Sequence, residues 1–232
     1  MRPTQTVPPY SDGRLHARAL PRAEASTVAL ESGMHKLAFA DGREALLHVP
    51  PYHDGRLLPL LVLLHGAGGQ HGGGDTIALA HAARHDTLLL IPAALGSSWD
   101  LLRGGYGPDL SFIDRALLWT MRHHAVDAKH ISIGGFSDGA SYALSVGLMN
   151  GDLFSDILAF APGFMAPQRR VGQPRVFVSH GLGDKVLPVG RGQAVAQRLA
   201  DEGYDVVYAE FDGGHVVEPE IMREALDRLA GC

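Results

Sequence analysis

Apolar and polar positions alternate along this chain in two rhythms. "KLAFADGREALLHVP" (36–50) holds two short apolar runs joined by Asp41-Gly42, a dipeptide that tolerates positive φ, and this predicts two antiparallel strands opening a sheet. Further on, "LPLLVLLHG", "TLLLIPA", "HISIGGFS", "DILAFAPG", "PRVFVSHG" and "DVVYAEF" are continuous apolar runs of strand length. Runs without a polar face suit parallel strands covered by helices on both sides. Between them, helical spacing is read over 75–85, 112–125, 139–150, 190–202 and 218–230, the last with Ile221, Leu226 and Leu229 close to one face. Strand and helix in turn predict a doubly wound, mostly parallel α/β sheet, one domain over 35–232. Residues 1–34 are rich in Pro, Arg, Ser and Thr without a period, and read as an extended or partly mobile leader wrapping the surface.

Composition narrows the functional classes. The 46% apolar and 19% charged content is that of an ordinary globular protein, and a net charge of −5 argues against a nucleic-acid surface. Cys232 is the sole cysteine, so neither an internal disulfide nor a Cys-x-x-Cys site can form. The N-terminal "MRPTQTVPPYSDGRL" has no apolar signal core and no later run reaches membrane-spanning length. A cytoplasmic protein is the default expectation, with secretion left open for a mature chain cleaved from its signal. The leader is also a candidate for completing a homodimer.

Chemistry concentrates at strand ends. In "HISIGGFSDGASYALSVG" Ser137 sits between Gly135 and Gly139, the bracket a sharp strand-to-helix turn needs because a Cβ at either place would strike neighbouring backbone. Such a turn presents the serine as a nucleophile. Asp184 follows "PRVFVSHGLG" and His215 follows "DVVYAEFDGG"; Ser, Asp, His is the chain order of an acyl-transfer triad on this sheet topology. Glu210 and Asp212 lie near His215 as rival acids. "HGAGG" (65–69) ends an earlier strand with flexible backbone of the kind an oxyanion hole uses, and the donor there is Ala67 or Gly68, paired with the amide of Asp138 just after the nucleophile.

Four segments, "LLHGAGG", "GGFSDGASYAL", "FVSHGLGDKVLP" and "DGGHVVEPE", resemble the α/β-hydrolase serine esterases, nearest in pattern to the small carboxylesterase, phospholipase and acyl-protein thioesterase group, with polyhydroxybutyrate-depolymerase-like esterases as neighbours. The resemblance runs from about residue 36 to the end. It implies an α/β-hydrolase fold and hydrolysis of carboxylic esters by Ser137, His215 and Asp184, with no metal or organic cofactor. Two alternatives remain: an acyl-thioesterase or lysophospholipase, and a non-catalytic ligand-binding relative. Asp138 departs from the neutral residue common there; the helix dipole accounts for a carboxylate at that place as well as a role in repelling anionic substrates would.

Only about a dozen residues separate "DILAFAPGF" from "PRVFVSHG", too few for an inserted helical cap, so an open site is expected. Trp99, Phe164, Met165, Val186 and Leu187 are the expected apolar walls for a small-molecule ester of short to medium chain length. His81 and His85 have the i, i+4 spacing of helical metal ligands, but no H-E-x-x-H glutamate accompanies them and no third ligand is visible in the sequence, so no metal site is expected.

Overall fold

A computed structural model of the chain describes residues 10–19, 30–51, 56–69 and 72–230. Eight strands form one sheet: β1 (Gly33–Ala38), β2 (Glu44–Val49), β3 (Leu58–Leu64), β4 (Leu88–Pro92), β5 (Val126–Phe136), β6 (Asp156–Phe160), β7 (Arg175–Gly181) and β8 (Val206–Phe211), in the order β1-β2-β4-β3-β5-β6-β7-β8. β2 runs antiparallel to both β1 and β4, and every other pairing is parallel. The helices are α1 (Gly74–Arg84), α2 (Pro108–His123), α3 (Asp138–Met149), α4 (Gly190–Asp201) and α5 (Pro219–Ala230). The expected hairpin, six parallel strands and five helices are all present.

The uninterrupted apolar runs arise because the sheet has a core on each face. Along β3, Leu60, Val62 and Leu64 enter the larger core with residues of α2 and α3, while Leu61 and Leu63 enter the smaller one with Ala78 and Ala82 of α1 and Met222, Ala225 and Leu226 of α5. β6 and β7 divide likewise, with Ile157, Val176 and Val178 on one side and Leu158 and Phe177 on the other. A strand wet on neither face has no polar position to spare. After β3 the chain builds β4 on one side and then crosses to β5 on the other, so a crevice opens beyond the C-terminal ends of β3 and β5.

The stretch expected as a surface leader divides. Residues 1–9 and 20–29 lie outside the described residues, but Leu15 and Ala17 are core residues at 1% and 0% exposure. Extended backbone needs partners for its amides, and two buried side chains provide them. Asp114 of α2 accepts from the His16 and Ala17 amides at 2.8 and 2.7 Å and from the Tyr10 hydroxyl at 2.9 Å, and Asn150 accepts from the Leu15 amide while donating to the Gly13 carbonyl. Thus part of the leader is an integral strap, held by Asp114, which is wholly buried.

Candidate active site

Ser137 occupies the turn from β5 into α3 at φ 56°, ψ −117°, a region that L-residues rarely adopt. Surrounding structure holds it there: its amide donates to the Phe160 carbonyl at 2.9 Å and its carbonyl accepts from the Ser141 amide at 3.0 Å. The glycine bracket is a packing requirement. A Cβ on Gly135 would stand 2.5 Å from the Gly139 backbone, and one on Gly139 would stand 2.4 and 2.5 Å from the carbonyl oxygens of Leu64 and His65. Gly139→Ala is therefore expected to push α3 off the end of β3, costing about 3 kcal/mol in stability together with most activity. Thermal melts and initial rates on one preparation check both.

The three residues expected to act together converge. His215 Nε2 lies 2.9 Å from Ser137 Oγ, and its Nδ1 lies 2.6 Å from Asp184 Oδ2. The carboxylate can only accept, so Nδ1 carries the proton and Nε2 is free to accept the serine's. Of the rival acids, Glu210 is committed elsewhere, its Oε1 engaged by Gln193 and by the Tyr208 hydroxyl. Burial raises the Asp184 pKa, but hydrogen bonds from His215 and the Leu187 and Val186 amides together outweigh it, and the net position is below the ordinary carboxylate value. Those amides reach Oδ1 at 2.9 and 2.8 Å, leaving Oδ2 for the imidazole. Behind it, His180, fully buried, donates from Nε2 to the Leu187 carbonyl and stands 3.3 Å from Asp184 Oδ2.

The loop 65–69 lies across the crevice from the elbow. The Gly68 amide is already committed to the Ser97 carbonyl at 2.6 Å, which makes the Ala67 amide the better oxyanion donor of the two. His65 braces the loop. Its Nε2 accepts from the Ala94 amide, so its Nδ1 donates to the Gly66 carbonyl, at 2.9 and 2.7 Å respectively. The Asp138 carboxylate accepts from the Ser98 hydroxyl at 2.7 Å. One loop, 97–98, thus holds the elbow through Asp138 and the Gly68 backbone through Ser97. Neither Ser98 nor His180 was a sequence candidate; their strand-end positions in "GSSWD" and "VSHG" were the available signal.

The expected pocket walls meet different fates. Trp99 is corrected: it is 0% exposed, its ring stacks on Tyr142 with centroids 5.2 Å apart, and its Nε1 donates to the His65 carbonyl at 2.8 Å. It supports the oxyanion loop from the core, because the indole N–H finds a buried acceptor there. Phe164 and Met165 are half-buried, and Met165 also packs on the larger core. Val186 is 66% exposed beside Asp184, and Leu187 is half-buried against Gly163. A groove of about 430 Å³ opens beside the oxyanion loop, lined in part by Leu46, His65, Gly69 and Ile91. No helix among the described residues is long and apolar enough to cross a membrane.

Sheet order, a strained strand-to-helix serine and convergent strand-end Asp and His define an α/β-hydrolase with a serine-hydrolase arrangement and, among the described residues, no large cap. The chain belongs to the Phospholipase/Carboxylesterase family, whose pattern matches residues 112–232. It is 30% identical over 106 residues to acyl-protein thioesterase 1 of Gibberella zeae, a match covering 41% of this chain and 45% of that protein. Among solved structures, a thermostable esterase superposes with a TM-score of 0.66 at 22% identity, over 85% of this chain and 62% of the other. A fluorophosphonate-binding serine hydrolase of Staphylococcus aureus superposes with a TM-score of 0.70 at 12% identity, over 88% of this chain and all of the other. The match to the thioesterase thus spans under half of that protein, and the match to the thermostable esterase spans under two thirds of it.

Proposed function

We propose that this chain is a serine carboxylesterase that hydrolyses short- to medium-chain carboxylic esters through an acyl-enzyme. The observation that carries the reading is the unbroken hydrogen-bonded line from Ser137 Oγ through His215 to Asp184. As Ser137 Oγ attacks the ester carbonyl, its proton passes to His215 Nε2, and Asp184 stabilises the imidazolium and fixes its orientation. Negative charge gathers on the carbonyl oxygen, which the amides of Ala67 and Asp138 receive. The carbon–alkoxide bond then breaks, and the leaving oxygen takes the proton from Nε2. Water enters, gives a proton to Nε2 and attacks the acyl carbon; collapse returns that proton to Ser137 and releases the acid.

Leu95, Leu182, Val186 and Val216 are exposed on the loops that carry the site, and Phe164 and Leu187 lie partly open behind them. These six residues supply apolar surface for the acyl and alcohol groups of a short- to medium-chain ester. The thioesterase reading is favoured by one observation, the likeness to acyl-protein thioesterase 1. The deciding experiment is turnover of a p-nitrophenyl ester series from C2 to C16, alongside matched acyl-thioesters. A maximum at C2 to C8 on oxygen esters supports the carboxylesterase; a maximum at C12 or above, or a preference for thioesters, replaces it with the alternative.

Asp138 is assigned a positioning role through Ser98. Ser98→Ala is expected to lower kcat roughly tenfold with little change in KM, because it loosens the alignment of the two oxyanion donors rather than ground-state binding. Steady-state kinetics on p-nitrophenyl acetate separate the two parameters, and a rise in KM alone would mean that Ser98 contacts substrate instead.

A further inference from the structure

At the opposite end of the strands from Ser137, the C-terminal turns of α1 and α5 bring together His81, His85 and Asp227, whose ligating atoms all lie within 4.8 Å of one another. We propose that these three side chains bind one first-row transition-metal dication of the Zn²⁺ class, which fastens α1 to α5. The observations are geometric. His81 and His85 sit one turn apart with their rings stacked at 4.2 Å, which brings their nitrogens close together, and a turn of the exposed His85 ring out of the stack would let both in-plane lone pairs converge on one ion. Asp227 reaches toward them from the neighbouring helix, with Oδ1 3.9 Å from His81 Nδ1. That separation is too long for a hydrogen bond. Ligand atoms of a tetrahedral zinc site stand about 3.4 Å apart, as follows from bonds of about 2.0–2.1 Å. His81 is buried and fixed, whereas His85 and Asp227 are exposed and can swing the remaining distance.

Two imidazoles and one carboxylate are borderline donors, which select Zn²⁺, Co²⁺, Ni²⁺ or Cu²⁺ over the oxygen-seeking Mg²⁺ and Ca²⁺. A cavity of about 40 Å³ lies against the same histidines, lined also by His130, Ser132 and Asp156, with room for the water that would complete the coordination. Arg84 and Arg223 border the outer side, and Arg223 is paired with Glu220. The placement gives the ion a structural task. α1 issues from the oxyanion loop and α5 from the His215 loop, and those loops already meet where the Val217 amide donates to the Gly72 carbonyl at 3.1 Å. An ion at the far end would pin the second end of the same helix pair.

The proposal does not rest on the esterase reading, and its test reads binding rather than turnover. Untagged full-length protein is stripped with chelator, titrated with Zn²⁺ by calorimetry, and scanned for visible absorption with Co²⁺. One Zn²⁺ per chain is expected, with a Kd at or below about 10 μM and a melting temperature raised by several degrees when the ion is in hundredfold excess over Kd. His85→Ala and Asp227→Asn should each weaken binding at least tenfold and remove the Co²⁺ bands. Both titrations are run well below each variant's metal-free melting temperature, so a change in stability cannot imitate a loss of binding. Absence of saturable binding below about 1 mM overturns the proposal. So does wild-type affinity retained in both variants, which would place the ion on others of the thirteen histidines.

Discussion

Ser137→Ala should leave the fold intact and no ester hydrolysis above background, a fall in kcat on the order of 10⁴–10⁶-fold. The size follows from geometry: Oγ is the atom 2.9 Å from His215 Nε2, and without it the imidazole has no proton to take. The measurement is p-nitrophenyl acetate turnover with labelling by a fluorophosphonate probe, which forms its covalent bond at the same oxygen. Persistence of either in the alanine variant would move the nucleophile elsewhere. Ser137→Gly adds a second readout. At φ 56°, ψ −117° glycine sits without the strain a Cβ brings, so this variant should be as inactive as alanine yet about 1 kcal/mol more stable. A rise in melting temperature with loss of activity would show that the elbow stores strain to present its hydroxyl.

Asp184→Asn is expected to lower kcat roughly 10⁴-fold while altering KM little. The amide offers N–H where the carboxylate accepts, so it favours the imidazole tautomer with the proton on Nε2, facing Ser137 and unable to receive. Stability should change too, and with a definite pH dependence. Asp184 has a folded pKa below its unfolded value, so its stabilising contribution is present above the ordinary carboxylate range and is lost as pH falls through the folded pKa. The wild type should accordingly lose part of its stability between about pH 4 and lower values where Asp184→Asn does not. Denaturation midpoints at pH 7, 5 and 3.5 for the two proteins decide it; parallel curves would mean that other carboxylates govern acid unfolding.

Much of this was legible because the physics is local. A strand buried on both faces must be apolar throughout, so "LPLLVLLHG" and "PRVFVSHG" announced parallel strands, and the bracket around Ser137 marked a turn in which any larger residue would collide with Leu64, His65 or Gly139. Strand ends then located Asp184 and His215. Trp99 misled because an apolar residue in a strand-end loop can face solvent or core, and only the His65 carbonyl beneath it decided the matter. Leu15 and Ala17 were missed for a related reason: their partners, Asp114 and Asn150, lie far along the chain, and no local period marks an extended strap.

By itself, then, the sequence determined the fold class, the order of elements and the sharp turn that carries Ser137, since each rests on periodicity or on sterics within a few residues. Tertiary structure alone decided which acid faces His215, which amide of "HGAGG" stays available, how Ser98 ties Asp138 to the oxyanion loop, and that Asp227 of α5 stands beside His81 and His85 of α1. These are pairings between segments distant in the chain. Such a pairing is set by how packed helices and strand ends meet, and hydrophobic pattern carries no record of it.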